Sequence, residues 1–522
     1  MILYNGKIYT SDGFFQAIFF QNKIIIDFGF DEEILKKYPL ENKINLNGRL
    51  VIPGFIDSHM HLFNYSINKS QLDLRSAKSI NQVIELGKKF LQLNSQKIIA
   101  FGYNDVNFEE KRLLNRFDLD QISNDIPIIA TRICGHIVSV NTRALEIANI
   151  SKGSRIPLGQ IDIDQNGVPL GILREKAIEL LKLDDSLTIA QIKTILLQGI
   201  ADANACGLTS IGTNDLSENE QEATLILQAY QELENEGRLN IRINHQITFQ
   251  ETSVLSKLFS LPLHSSLIKM GPLKLFMDGS LGGKTALLKD SYLDTHEKGI
   301  LCLDLLKFDE LLLYCKQTKR QIIVHAIGNE AIDLCLNHYK KFQDDDNTLR
   351  WGIVHVQITD KDILEKFAKQ KICAFVQPPF IISDMELVKK RISKTLVESS
   401  YLFGSLAKIT ATGFGSDSPV ENFNPLIGIY ANVTRANWDN TQEYLPSEKQ
   451  TVFQALQGYT ETNAFLTFEE KNKGKIKRGY FADLVVLHED IFIIPKQDIK
   501  NVKVDLTIMN GEIIYERGKQ NA

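Results

Sequence analysis

The sequence of 522 residues lacks the features that mark several large classes of protein. Its six cysteines are scattered and include no Cys-x-x-Cys pair, which excludes a disulfide framework and a cysteine-rich zinc site. No apolar run reaches the length of a membrane span. The N-terminus has neither the basic segment nor the apolar segment that directs secretion. We therefore expect a cytoplasmic protein whose thiols are reduced.

Basic residues do not outnumber acidic residues in this chain. The chain has 59 Lys and Arg residues against 64 Asp and Glu residues, a net charge of −5, and a pI near 6.1. These values argue against a nucleic-acid partner and against an anionic membrane surface. Hydrophobic residues make up 43% of the chain and charged residues 24%, as in an ordinary globular enzyme. The length allows roughly two or three domains.

Short strands separated by turns are predicted at both ends of the chain. Asn-Gly pairs at 5–6, 47–48 and 510–511 separate apolar runs, a pattern that is typical of β-hairpins. The predicted strands are 2–4, 17–20, 23–28, 43–46, 483–487, 504–509 and 512–515. We expect residues 1–50 and 475–522 to build one small β-sandwich domain together.

The middle of the chain alternates apolar strands with helical segments, which favours a parallel α/β architecture. The predicted strands are 51–59, 208–213, 240–247, 271–278, 321–326, 351–356, 372–377 and 410–416. The predicted helices include 188–205, 219–236, 305–319, 329–342, 360–370 and 384–394. Eight such strands predict a (β/α)₈ TIM barrel over residues 51–474. The interval between the first two strands is too long for one helix, so residues of about 66–187 should form an inserted lobe.

Two histidines, His59 and His61, lie at the end of the first predicted barrel strand. Side chains two residues apart on a strand point to the same face, so both imidazoles can bind one metal ion. Imidazole suits zinc and several other divalent metals. Taken alone, such a pair is more often two ordinary polar-face residues than a metal site.

Four further residues with suitable side chains lie at or near the ends of predicted strands: Lys274, His325, His355 and Asp417. In a barrel of this kind, the carboxyl ends of several strands converge on one pocket. Individually, such residues are more often core histidines, rim lysines and turn aspartates. One shared geometry accounts for all six residues in strand order, so together they favour a metal site.

Longer motifs around these positions carry a resemblance to a known family. They are Pro-Gly-Phe-Ile-Asp-Ser-His-Met-His at 53–61, Gly-His-Ile-Val-Ser-Val-Asn at 135–141, Gly-Ile-Leu-Arg-Glu at 171–175, Lys-Leu-Phe-Met-Asp-Gly-Ser-Leu-Gly at 274–282, His-Ala-Ile-Gly at 325–328, Gly-Ser-Asp-Ser-Pro-Val at 415–420 and Gly-Tyr-Phe-Ala-Asp-Leu-Val-Val-Leu at 479–487. Over nearly its whole length the chain resembles the amidohydrolase superfamily, and within it the amidohydrolase-3 (YtcJ-like) family.

The resemblance implies one or two divalent metal ions, with zinc expected. His59, His61 and Asp417 would hold one ion, and His325 and His355 would hold the other. Lys274 would bridge the ions as a carbamate formed with CO₂, because a free ammonium cannot bind a cation. The implied reaction is hydrolysis of a C–N bond in an amide, N-acyl or cyclic-amide small molecule by a metal-bound hydroxide, with Asp417 as the catalytic proton acceptor.

The resemblance further suggests that His136 and Glu175 of the lobe bind substrate, although plain structural roles are equally open. Arg132, Asn141 and Arg174 are weaker candidates for the same role. As for assembly, a homodimer is the family-level expectation.

The sequence departs from the family pattern at Asn329 and Val354, where acidic residues are expected beside two of the histidines. These departures put the tuning of the histidines in question. Two other readings remain open at this point: a catalytically silent barrel with a structural or binding role, and a hydrolase of esters or phosphoesters.

Overall fold

A computed structural model of the chain describes residues 1–92, 97–132, 137–156, 159–181, 187–217, 219–263, 265–293 and 295–519. These residues form two compact units. The first comprises Met1–Tyr65 and Ile189–Ala522, and the second comprises Ser66–Thr188. Among the helices in the described ranges, none combines the length and the apolar character that crossing a membrane requires.

The first unit contains a sheet of eight parallel strands, each paired with the next. In chain order they are Phe55–Met60, Leu208–Ser217, Arg242–Thr248, Ile268–Phe276, Ile322–Ala326, Gly352–His355, Cys373–Val376 and Thr412–Phe414. Just beyond the eighth strand, Asp417 N donates to His59 O at 2.8 Å, and His61 N donates to Ser418 O at 2.7 Å. These bonds close the sheet, so the predicted TIM barrel is confirmed.

Helices follow the barrel strands. They are Leu62–Ser70, Ile189–Ala205, Glu220–Asn235, Thr252–Phe259, Leu305–Gln317, Asn329–Phe342, Lys361–Gln370, Phe380–Arg391, Lys394–Val397, Phe403–Ile409, Pro425–Thr434, Val452–Gly458 and Glu461–Leu466. Two of these helix starts carry an aspartate cap: Asp304 accepts a bond from Lys307 N at 2.8 Å, and Asp360 accepts one from Ile363 N at 2.9 Å. The helix predicted at 384–394 begins earlier, at Phe380, directly after Pro379, since proline is compatible with a helix start.

The first predicted barrel strand, 51–59, is wrong as a single element. The structure has two strands, Leu50–Pro53 and Phe55–Met60, which lie in different sheets. Gly54 separates them, and its N–H donates to Asp483 O at 2.8 Å. A Cβ at Gly54 would lie 2.3 Å from Thr209 Oγ1, so only glycine fits where the chain passes between the sheets.

The two ends of the chain form two further sheets, as the strand pattern predicts. One has the order Ile24–Gly29, Ala17–Gln21, Ile2–Tyr4 and Lys43–Asn45, and the other has the order Glu512–Glu516, Val504–Met509, Leu484–Leu487, Leu50–Pro53, Lys7–Thr10 and Gly13–Phe15. The short helix Asp31–Lys37 follows the strand that ends at Gly29. Ile18 and Phe20 of the first sheet share one buried cluster with Val51, Leu484 and Ile508 of the second. The predicted β-sandwich is therefore present.

The three Asn-Gly pairs have different outcomes. Asn510-Gly511 is a two-residue hairpin turn between adjacent strands, with positive φ at both residues (53° and 77°). The pairs at 5–6 and 47–48 connect strands that lie in different sheets, so the hairpin prediction is wrong there. Asn tolerates the left-handed region in either setting, which is why the dipeptide alone does not distinguish them.

The second unit has its own six-stranded sheet and its own apolar core. The order is Gly159–Ile163, Pro169–Glu175, Ile137–Val140, Ile128–Arg132, Ile98–Tyr103 and Leu72–Asp73. The helices Ile80–Leu91, Arg116–Asp120 and Thr142–Ile147 belong to this unit. Ser79 starts the first of them by accepting a bond from Gln82 N.

Candidate metal centre

Three of the predicted ligands meet where the first and eighth barrel strands end. The Nε2 atoms of His59 and His61 each lie 3.3 Å from Asp417 Oδ1. One candidate ligand atom from each of the three residues lies within 4.8 Å of the other two. His59 is completely buried, whereas the His61 side chain is 20% exposed. The group has a protected side and an open side, as a site that admits substrate requires.

The backbone around Asp417 supports this arrangement. The residue has a φ of 58°, in the left-handed region that aspartate enters more readily than most residues. Asp57, two residues before His59, accepts bonds from His59 N at 3.0 Å and from Ser416 N at 3.2 Å. One buried carboxylate thus holds the two strand ends together immediately beside the candidate ligands.

His325 and His355 lie together on the fifth and sixth strands. Their ring centroids are 4.4 Å apart, and the His355 ring is 5.8 Å from the His59 ring. Strand register pairs His325 with Val354 rather than with His355. His355 has a φ of 79°, which interrupts the regular alternation of side chains at this strand end. Such strain in a non-glycine residue is characteristic of functional sites.

Lys274 lies on the fourth strand, on the face that it shares with His325. Register pairs Lys274 with Ile323 and Phe276 with His325. The lysine is fully buried, and its Nζ lies 4.1 Å from the centroid of the Phe276 ring. Burial lowers the pKa of the amine from 10.5 to about 7, against an opposing effect of the Asp417 charge. The structure therefore brings all six predicted residues to one end of the barrel.

Each histidine of the group has one ring nitrogen beside a polar partner. His59 Nδ1 lies 2.5 Å from Gln246 Oε1, and His355 Nδ1 lies 2.7 Å from Gln377 Oε1. His61 Nδ1 lies 3.2 Å from the backbone oxygen of Asn214, and His325 Nε2 lies 3.0 Å from that of Gly279. Contacts of this kind orient metal-binding imidazoles in other proteins.

The sequence interpretation missed Gln246, because a polar residue inside a strand has no distinctive spacing. Its neighbour His245 has the more suggestive side chain. The ring of His245 instead packs against Tyr230, with centroids 5.0 Å apart, and neither nitrogen has a hydrogen bond within the described part of the chain. Side-chain alternation is the one signal that could have separated the two residues.

Charges within the site favour the forms of these side chains that bind cations. Burial, aided by the nearby Lys274, lowers the pKa of His59 to about 4 and that of His325 to about 3. Burial likewise places the pKa of His355 well below its usual value. Burial alone would raise the pKa of Asp417, but its contacts with His59 and His61 hold it well below the usual range. Neutral imidazoles and an ionised carboxylate are what a divalent cation needs.

Unsatisfied buried atoms provide a test of whether these residues fit a metal ion. Within the described ranges, His59 Nε2 and Lys274 Nζ are buried and make no hydrogen bond. A buried polar atom without a partner is costly, and a bound ion removes that cost where lone pairs converge. Four imidazoles and a carboxylate match the preferences of zinc and similar divalent ions. The donor set therefore fits a metal centre.

The predicted substrate residues of the lobe are placed as follows. His136 lies outside the described residues. Glu175 ends the strand Pro169–Glu175, is exposed, and has a φ of 49°. Asn141 is fully buried at the start of the helix Thr142–Ile147, where its side chain bonds four backbone groups, so its contacts account for a structural role. Substrate binding by His136 and Glu175 stays a prediction.

The structure shows which residues surround Asn329 and Val354, the two departures from the family pattern. Asn329 is buried, and its Oδ1 accepts a bond from Lys289 N at 3.0 Å. Val354 is fully buried in an apolar cluster with Ile323 and Phe375. Both residues are therefore accommodated without an unpaired charge.

Comparisons with known proteins agree with this architecture. The family model described as "Amidohydrolase family" matches residues 43–515. The YtcJ amidohydrolase of Bacillus subtilis (strain 168) is 32% identical, with 99% of each chain covered. The N-substituted formamide deformylase of Arthrobacter pascens is 22% identical, over 91% of this chain and 90% of that protein.

A solved structure is similar in both fold and sequence. It is an uncharacterized metal-dependent hydrolase from Pyrococcus furiosus, with a TM-score of 0.79 and 28% identity. The match covers 94% of this chain and 99% of that one. The family model covers the barrel and part of the terminal β-sandwich. The chain therefore belongs to the amidohydrolase family and is a hydrolase.

Proposed function

We propose that this hydrolase cleaves a C–N bond of an amide, N-acyl or cyclic-amide small molecule, using one or two divalent metal ions, with zinc the first choice. The observation that carries the proposal is the meeting of His59, His61, Lys274, His325, His355 and Asp417, which come from the first, fourth, fifth, sixth and eighth barrel strands. Convergence of catalytic groups at the carboxyl ends of strands is the general pattern of TIM-barrel enzymes.

In the proposed centre, His59, His61 and Asp417 would hold one ion, and His325 and His355 would hold the other. When bound, such ions lower the pKa of water and polarise a carbonyl group. Asp417 is ionised at neutral pH, because its neighbours hold its pKa well below the usual range. Its carboxylate is therefore available to accept the proton of the attacking water and to pass it to the leaving nitrogen.

Lys274 has a separate part in the proposal. Its Nζ is fully buried and has no hydrogen-bond partner within the described ranges. It lies at the same end of the barrel as the other candidate ligands. Addition of the neutral amine to CO₂ forms an N–C bond and releases one proton, which leaves a carbamate. That anion would place two oxygens where the free amine has a single lone pair, and oxygen ligands suit divalent cations.

The choice of bond is supported by the relatives. The family description and the name of the YtcJ protein both contain the word amidohydrolase, and the Arthrobacter pascens protein is named for the removal of formyl groups from N-substituted formamides. We extend that chemistry to this chain as a proposal.

A substrate panel tests the proposal on protein loaded with zinc in the presence of bicarbonate. The panel contains N-substituted formamides, N-acetyl compounds, cyclic amides, carboxylic esters and a phosphotriester, and the Asp417→Asn variant is the matched control. We expect turnover of at least one C–N substrate that is lost in the variant. Turnover of the esters or the phosphotriester alone would contradict the C–N assignment. Folded, metal-loaded protein that turns over nothing on the panel would favour the silent alternative.

A further inference from the structure

The side-chain amide of Gln246 has a fixed orientation beside His59. Its Nε2 donates to Ser58 O at 2.8 Å, so the amide oxygen must be the atom that faces His59. That oxygen lies 2.5 Å from His59 Nδ1 and can only accept. The His59 Nδ1 atom must therefore carry the proton, which leaves Nε2 with a free lone pair beside Asp417.

Gln377 stands in the same relation to His355. Its Nε2 donates to Phe375 O at 3.0 Å, and its Oε1 lies 2.7 Å from His355 Nδ1. Both glutamines are about 1% exposed, so water does not compete for these bonds. Two histidines on different strands are thus held in the same tautomer by amides that the backbone orients.

The space that Gln246 occupies depends on Gly212 in the neighbouring strand. A Cβ at Gly212 would lie 2.8 Å from Gln246 Nε2 and 2.5 Å from Ser58 O. Any larger residue would push the amide away from the oxygen that orients it. The glycine leaves room for the bond on which the orientation of His59 depends.

We propose that Gln246 and Gln377 are positioning residues that hold His59 and His355 as Nδ1–H tautomers, so that each presents Nε2 to the metal ions. This inference rests on the proposed metal centre for its purpose, but the tautomers themselves are a property of the metal-free chain. Loss of such a partner in other metal sites reduces metal affinity by about 10–100-fold.

The experiment compares Gln246→Met and Gln377→Met with two matched variants. Gln246→Glu keeps an acceptor oxygen beside His59. Gln321→Met removes another buried barrel glutamine, whose Nε2 donates to Arg350 O at 2.8 Å and to Leu466 O at 3.0 Å and which has no hydrogen bond to a histidine among the described residues. Zinc affinity is measured by competition with a chelator, and the coordination environment is followed by the visible spectrum of the cobalt-substituted protein. Heteronuclear NMR of labelled histidine rings reports the tautomers in metal-free protein.

We expect zinc affinity to fall by about 10–100-fold in Gln246→Met and Gln377→Met, with altered cobalt spectra. Gln321→Met should keep native affinity and spectra, and Gln246→Glu should keep the Nδ1–H tautomer of His59 that Gln246→Met loses. Native affinity in both Met variants would overturn the proposal, and so would an equal loss in Gln321→Met, because that would indicate a general packing effect. If native protein binds no metal, the proposed function fails, whereas Nε2–H tautomers at His59 and His355 in metal-free protein would refute the positioning role by themselves.

Discussion

Replacement of Lys274 by methionine tests the energetic cost of a buried amine in the barrel. In metal-free protein without CO₂, the amine is fully buried and has a pKa of about 7, compared with 10.5 when exposed in the unfolded chain. Each pH unit between these values is worth about 1.4 kcal/mol, so the protonated amine lowers the free energy of unfolding by about 5 kcal/mol below pH 7. Methionine has a similar length and carries no charge.

The sign of the pH dependence follows from the lowered pKa. Between pH 7 and 10.5 the unfolded chain binds more protons at this lysine than the folded chain does, so stability rises with pH in that window. From pH 7 to pH 9 the free energy of unfolding of the native protein should gain about 2 kcal/mol relative to Lys274→Met. Other titrating groups are common to both proteins and cancel in the difference.

Urea denaturation of both proteins at pH 7, 8 and 9 measures this difference, with a chelator present and CO₂ excluded. Lys274→Met should be the more stable protein at pH 7, and the two should approach each other as the pH rises. A difference that stays constant over this range, or one that grows with pH, would refute the account of Lys274 as a buried amine without a partner.

Three further predictions concern catalysis, a buried ion pair and a turn. Asp417→Asn should reduce kcat by about 10²–10⁴-fold while zinc stays bound, and near-native turnover with the best panel substrate would contradict the role of this carboxylate. Glu469→Gln should lower the free energy of unfolding by about 3–5 kcal/mol, because Lys473 is buried and pairs with Glu469 at 2.5 Å. A loss below about 1 kcal/mol in urea denaturation would show that the protein does not need this ion pair. Although burial opposes it, the charge of Lys473 holds the pKa of Glu469 at about 2, so this stabilisation is present above about pH 4.5 and should disappear as pH falls toward 2. Gly511→Ala should destabilise the protein by about 1–2 kcal/mol, because φ is 77° and the new Cβ would lie 3.1 Å from Phe20; an unchanged urea midpoint would contradict this.

The six candidate ligands could be selected from the sequence because the ends of parallel strands have a simple geometric meaning. Residues at the carboxyl ends of parallel strands converge wherever the chain closes a barrel, so His325 and Asp417 could be placed together although they are distant in sequence. Residue type then indicated which strand ends carry metal chemistry. The alternation rule placed His59 and His61 on one side of the first strand.

The remaining features depend on local conformations that sequence periodicity does not encode. The positive φ values of His355 and Asp417 change where these side chains point, and no sequence motif predicts such values. The break at Gly54 depends on how closely Thr209 approaches, which only the packed structure reveals. Gln246 was missed for the same reason, since its role comes from one oriented amide in an otherwise ordinary strand.

The metal content of the purified protein tests the central claim most directly. Native protein, His59→Ala/His61→Ala and the control His338→Ala are incubated with zinc and bicarbonate, desalted, and measured by elemental analysis. His338 pairs with Asp309 at 2.5 Å and is not one of the six candidate ligands. The account predicts stoichiometric zinc in native protein and in the control, with a marked loss in the double variant. Folded native protein that retains no zinc, or a double variant that retains as much as native, would contradict it.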